Sequence, residues 1–160
     1  MKITFDTNIA ERVDLVQAAQ SAGFQVFITS VTPRELLPSN IKAVVTDLVP
    51  EIIVLDESSF GAVLASARDG EVFEESLKII SNGSFPPKGK RDNLSDGERR
   101  QQRDAMIFTA HVSKSYDIFV SDDERAFVRD GRRERLEKLG ECQVMTSKEF
   151  LLKYGNASVE

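Results

Sequence analysis

The sequence has no tryptophan, one cysteine and one histidine among its 160 residues. The lone Cys142 cannot close an internal disulfide, which agrees with a reducing compartment. Its place in a strand-like run reads as a buried small apolar side chain rather than a nucleophile. No apolar stretch approaches the ~20 residues that a membrane-crossing helix needs. Asp6 interrupts the only apolar run near the N-terminus, so a basic-then-apolar leader layout is missing there. The expected location is the cytoplasm, with no membrane partner. There is no Gly-rich phosphate loop and no Ser or Cys in a nucleophile motif, which sets aside phosphate-loop and catalytic-triad chemistry. His111, the single histidine, reads as a satisfied or partly exposed helix residue. No internal repeat or low-complexity tract divides the chain.

What is present is ordinary globular composition, 41% hydrophobic and 29% charged, enough for one domain with a sizeable core. That domain is expected over residues 1–154, with 155–160 as a frayed tail. The pattern alternates strand and helix. Strands are expected at 2–5, 24–29, 51–55, 117–120 and 142–145. Helices are expected at 9–21, 33–37, 40–49, about 60–81 with a break near Gly70, about 98–114, 124–139 and 147–154. Residues 82–98 are rich in turn formers and charge, and read as a mobile, functional loop with Phe85 exposed. The other phenylalanines read mostly as core. Alternating β and α elements predict an α/β fold with a mostly parallel sheet and helices on both faces. The loops after the strands then share one sheet edge, where function collects in such folds.

Acids stand at that edge. Asp6 ends the first strand, and Asp122 and Asp123 follow the strand 117–120. Glu35 lies early in the helix after the second strand, and Asp104 precedes the apolar run Ala105-Met106-Ile107-Phe108. Each has a local structural explanation. Asp6 suits a helix cap. Thr32-Pro33-Arg34-Glu35 and Ser121-Asp122-Asp123-Glu124 both read as capping boxes. Asp104 suits a solvated helix surface. Together they read differently, because clustered carboxylates repel one another unless protonated or bound to cations. Oxygen-only ligands suit Mg²⁺ or Mn²⁺.

The net charge of −5 argues against broad, non-specific nucleic-acid binding. The cations are nevertheless gathered in two stretches. Lys88, Lys90, Arg91, Arg99, Arg100 and Arg103 form one, and Arg129, Arg132, Arg133 and Arg135 the other. Either can follow a phosphate backbone. For the second, a solvated surface is an equal reading.

Phe5-Asp6-Thr7-Asn8 resembles the opening signature of the PIN-domain nucleases. Thr32-Pro33-Arg34-Glu35-Leu36 resembles that family's second motif, Arg103-Asp104-Ala105-Met106-Ile107 the third, and Val120-Ser121-Asp122-Asp123 the fourth. The resemblance spans residues 3–127. It implies a three-layer α/β/α sandwich and a metal-dependent endoribonuclease. It implies Asp6, Glu35, Asp104 and Asp123 as the catalytic acids around Mg²⁺ or Mn²⁺, with Thr7, Asn8 and Ser121 in support. Spacing from Ser121 selects Asp123, and the adjacent Asp122 is the alternate ligand. Arg99, Arg100 and Arg103 are the candidate contacts to RNA. A toxin-type member of the family would have an antitoxin or other regulatory protein as partner, and a homodimer is expected. The stretch 82–103 is longer than compact members of the family need.

Two other classes compete. One is a catalytically silent PIN-like module that binds RNA or protein. The other is an aspartate-dependent phosphatase or phosphotransfer protein. Against the latter, the position two residues after Asp6 is Asn8, and no Lys stands in the place a receiver domain needs.

Overall fold

The computed structural model describes residues 1–9, 12–30, 51–53 and 67–155. The expected helices at 33–37 and 40–49, and residues 54–66 of the next strand and helix, lie outside the described residues. Five strands form one sheet: β1 (Lys2–Asp6), β2 (Gln25–Ser30), β3 (Glu51–Ile53), β4 (Ile118–Val120) and β5 (Gln143–Met145). Every pairing is parallel, in the order β3-β2-β1-β4-β5. The described helices are α1 (Val13–Ser21), α2 (Ala67–Ile80), α3 (Asp96–Ser113), α4 (Glu124–Phe127), α5 (Arg132–Gly140) and α6 (Ser147–Tyr154). A single 3-10 turn, Thr7–Ile9, follows β1. Among the described residues no helix is long and apolar enough to cross a membrane.

Strand side chains alternate between faces, and the apolar residues sort accordingly. Ile3, Phe5, Val26, Ile28, Ile118 and Val120 pack with Leu15, Val16 and Ala19 of α1 and Phe150 of α6. Phe119 and Val144 join the other core, built from α2, α3, α4 and α5 around Phe108, Phe127 and Leu136. Two cores on opposite faces of a parallel sheet make an α/β protein, and the arrangement is compatible with a three-layer sandwich.

Four local expectations are corrected. Gly70 does not break its helix, for α2 runs through it. Burial of Val72, Phe73, Leu77 and Ile80 on one face outweighs the ~1 kcal/mol that an interior Gly costs. The single helix expected over 124–139 is two, because Asp130 and Gly131 turn left-handed at φ 56 and 73. Ser121 does not cap the first of these; the Asp123 carboxylate does, accepting from the Ala126 amide at 3.0 Å. The segment after α2 is not a free loop. Arg91 donates from both terminal nitrogens to the Glu74 carboxylate at 2.9 and 2.8 Å, and from Nε to the Pro86 carbonyl at 2.9 Å. Its guanidinium also lies 5.0 Å from the centre of the half-buried Phe85 ring. This pairing holds the Glu74 carboxyl below its ordinary range. The segment ends in a Ser95–Glu98 capping box, which starts α3 at Asp96.

Gly140 marks the closest approach of α5 to α3. A Cβ there would lie 2.9 Å from Val112 Cγ2, 3.0 Å from Cys142 Sγ and 3.1 Å from Phe108 Cζ. Gly140→Ala is expected to cost about 1–3 kcal/mol through overpacking. Urea denaturation should show a lower midpoint at unchanged slope. An unchanged midpoint would mean that these side chains give way freely.

Candidate active site

The strand order reverses at β1, which pairs with β2 on one side and β4 on the other. A crevice opens outside the carboxyl ends of strands at such a switch point. Phe5 lies opposite Val120, so the next residues along, Asp6 and Ser121, stand side by side at the rim. Both are buried, and Ser121 Oγ donates to Asp6 Oδ2 at 2.8 Å. The same hydroxyl accepts from the Asp123 amide at 3.1 Å. Ser121 therefore ties the end of β1 to the turn after β4.

The third acid comes from α3. His111, two turns beyond Asp104 on that helix, is fully buried, and its Nδ1 lies 2.8 Å from Thr4 Oγ1 in β1. This bond fixes α3 along β1, with Asp104 toward the Asp6 end. Burial raises the Asp104 carboxyl to about 7, with the charges of Asp123 and then Asp6 adding to the shift. Arg103 and Arg100 oppose it. Asp104 thus feels the charges of both Asp123 and Asp6 across the switch point.

Asp104 and Asp123 line a cleft of about 310 Å³ with Ser81, Ser84, Gln101, Arg100, Arg125 and Arg132. The cleft is acidic at the sheet edge and ringed by guanidinium groups. Of these, Arg125 was not singled out by sequence. It sits inside the acidic turn, where its neighbours Asp122, Asp123 and Glu124 draw attention away from it.

The two adjacent acids after β4 part company. Asp122 turns toward α6, accepting from the Ser147 amide at 2.8 Å and from Ser147 Oγ at 2.7 Å. Asp123 lines the cleft while capping α4 with one oxygen. Asn8 is exposed on the turn after β1. Arg100 lines the cleft, Arg103 is half-buried, and Arg99 donates to the Leu94 carbonyl at 3.3 Å. Glu35 and the Thr7 side chain lie outside what is described. Arg132 and Arg133 of the second basic cluster are partly structural: Arg132 donates to the Ile80 carbonyl at 3.1 Å and Arg133 to Glu149 at 2.9 Å.

The chemistry of this donor set suits a hard divalent cation: oxygen ligands only, with Asp104 desolvated and repelled by Asp123 and Asp6. Among the described residues, however, no group of three or more acids, His or Cys is gathered closely enough to hold a metal. Asp6, Asp104 and Asp123 interact through their charges without closing a ligand cage. The buried Cys142 thiol is pushed up to about 12 by burial, then by Glu137, which leaves it inert.

No family model matches this chain. No curated protein and no solved structure matches it either.

Proposed function

We propose that this chain is a PIN-like, Mg²⁺- or Mn²⁺-dependent endoribonuclease that hydrolyses RNA phosphodiester bonds. The observation that carries the reading is the meeting of Asp6, Asp104 and Asp123 from three distant segments at the sheet's switch point. A structural cap needs one acid; crowding three has a free-energy cost that a cation would relieve. Asp6, Asp104 and Asp123 would hold the cation, with Glu35 the fourth acid by resemblance. When bound, such a cation supplies Lewis-acid activation of the phosphodiester and of an attacking water. Ser121 orients Asp6 through its hydroxyl. Arg100 and Arg125 would bind the substrate phosphate at the cleft wall. Asp122, committed to Ser147, would brace the turn that presents Asp123. A toxin-type role with an antitoxin partner, a homodimeric state and a cytoplasmic location belong to the same proposal and rest on the motif resemblance.

Asp6→Asn is expected to abolish Mn²⁺-dependent cleavage of single-stranded RNA with the circular dichroism spectrum unchanged. Excess EDTA should do the same to the unaltered protein. Full activity in either case would overturn the reading. The lack of a closed ligand cage among the described residues favours one competitor, the silent binding module. Calorimetric titration with Mn²⁺ separates the two, since a silent module shows no heat that depends on Asp6 and Asp104.

A further inference from the structure

Next to the carboxylate cleft lies a larger pocket of about 610 Å³, and the two share Ser81. It carries Lys78, Lys88, Arg91 and Arg135 against a single acid, Glu74. Arg91 is engaged with Glu74, and Lys78 pairs with Glu75 on the exposed side of α2. Lys88 comes no closer than 3.9 Å to Glu74 and is 76% exposed. Among the described residues Arg135 has no ion-pair partner. Arg135, and Lys88 with only this long, solvent-exposed pair, are therefore the cations that can turn to a ligand. Phe85, Pro86 and Pro87 line the same pocket, and Arg91 holds this wall in place from the Pro86 carbonyl and over the Phe85 ring.

Cations sharing a pocket with an aromatic and proline wall match the chemistry of a single nucleic-acid strand, with its anionic backbone and stackable bases. An acidic peptide would use the cations but not the wall. We propose that this pocket continues the active-site cleft as a single-stranded RNA track. A strand with its scissile phosphate in the cleft crosses Ser81 and Ser84. It then lays adjacent nucleotides between Lys88, Arg135 and the Phe85–Pro87 wall. The inference rests on the ribonuclease reading and adds to it the strand's path. It also gives the long segment before the third acidic motif a purpose: it builds the wall.

The test is fluorescence anisotropy with a labelled oligouridylate in EDTA, where no cleavage occurs. A Lys88→Gln, Arg135→Gln double variant is compared with the unaltered protein and with Lys148→Gln, an exposed control on α6 away from both pockets. Both substituted side chains are exposed, and circular dichroism checks that the fold survives. The double variant is expected to bind about tenfold more weakly. Its salt dependence should be shallower, by about one for each phosphate no longer neutralised. The control should match the unaltered protein. Equal affinity and equal salt slope in the double variant would overturn the track, as would equal competition by a polyglutamate peptide of matched charge. Failure of the unaltered protein to bind the RNA would overturn it too. Cleavage with Mn²⁺ is scored separately. RNA binding through Lys88 and Arg135 without cleavage leaves the track and removes the nuclease; cleavage with unaltered binding in the double variant does the reverse.

Discussion

Asp104→Asn is expected to make the cation-free protein more stable at pH 8 while removing the proposed cleavage activity. Burial, then Asp123 and Asp6, lift this carboxyl to about 7, whereas an unfolded Asp titrates near 4. Between those values the folded protein keeps a proton that the unfolded chain has released. The group's contribution is therefore present in full below about pH 4 and is lost as the pH rises to about 7. Asn mimics the protonated carboxyl and avoids the loss. The gain at pH 8 should be on the order of 2–4 kcal/mol, with almost none at pH 4. Urea denaturation in EDTA at the two pH values measures it. In Mn²⁺ the order should change, because a cation that binds only the folded protein stabilises the unaltered chain more than the variant. Cleavage should fall by about a hundredfold or more, as second-sphere changes alone often cost up to that. A variant no more stable than the original at pH 8 would mean that the Asp104 carboxyl is neither desolvated nor crowded as described.

His111→Gln should remove the loss of stability that mild acid brings through this imidazole. Burial pushes the imidazole down to about 3, with Asp117 and the Tyr116 backbone opposing the shift. A His titrates near 6.5 in an unfolded chain. Its contribution is thus present above about 6.5 and is lost as the pH falls toward 3, by roughly 3–5 kcal/mol in all. Asp104 has the opposite slope between about pH 4 and 6.5, so the unaltered protein partly masks the effect. Three pH series reveal it. Asp104→Asn should lose stability more steeply below pH 6.5 than the original. Asp104→Asn with His111→Gln should be nearly flat. His111→Gln alone should gain stability on acidification from pH 7. It will also start lower by about 1–3 kcal/mol, through weaker packing on Phe108 and Phe119. If its slope matches that of the unaltered protein, the imidazole is not held neutral.

Much of the fold could be read from local signals. The β1 run ending on Asp6, Gly23 after α1 and Thr146 with Glu149 before α6 all carry their geometry in adjacent residues. What escaped depended on partners far along the chain. Arg91 looked like one cation in a charged loop; its place is set by Glu74 seventeen residues earlier. Nor does spacing foretell that Gly70 continues a helix, since burial of the apolar face of α2 decides it. At the site, the acids Asp6, Asp104 and Asp123 stood out as residues, and the parallel alternation placed two of them at one edge. Choosing between Asp122 and Asp123 needed Ser147, which claims the first. The role of His111 was hidden for the same reason: Thr4 lies 107 residues away.

The pairing of β1 with both β2 and β4 has a consequence for synthesis. Asp6 leaves the ribosome 115 residues ahead of its partner Ser121. Parallel strands so far apart in sequence pair late and slowly. A nascent chain can therefore settle β1 against β2, with helix α1 between them, long before the acids meet. The carboxylate cleft exists only once β4 and its following turn have emerged and docked. A carboxylate cluster split in this way is incomplete in every truncated product that ends before residue 123.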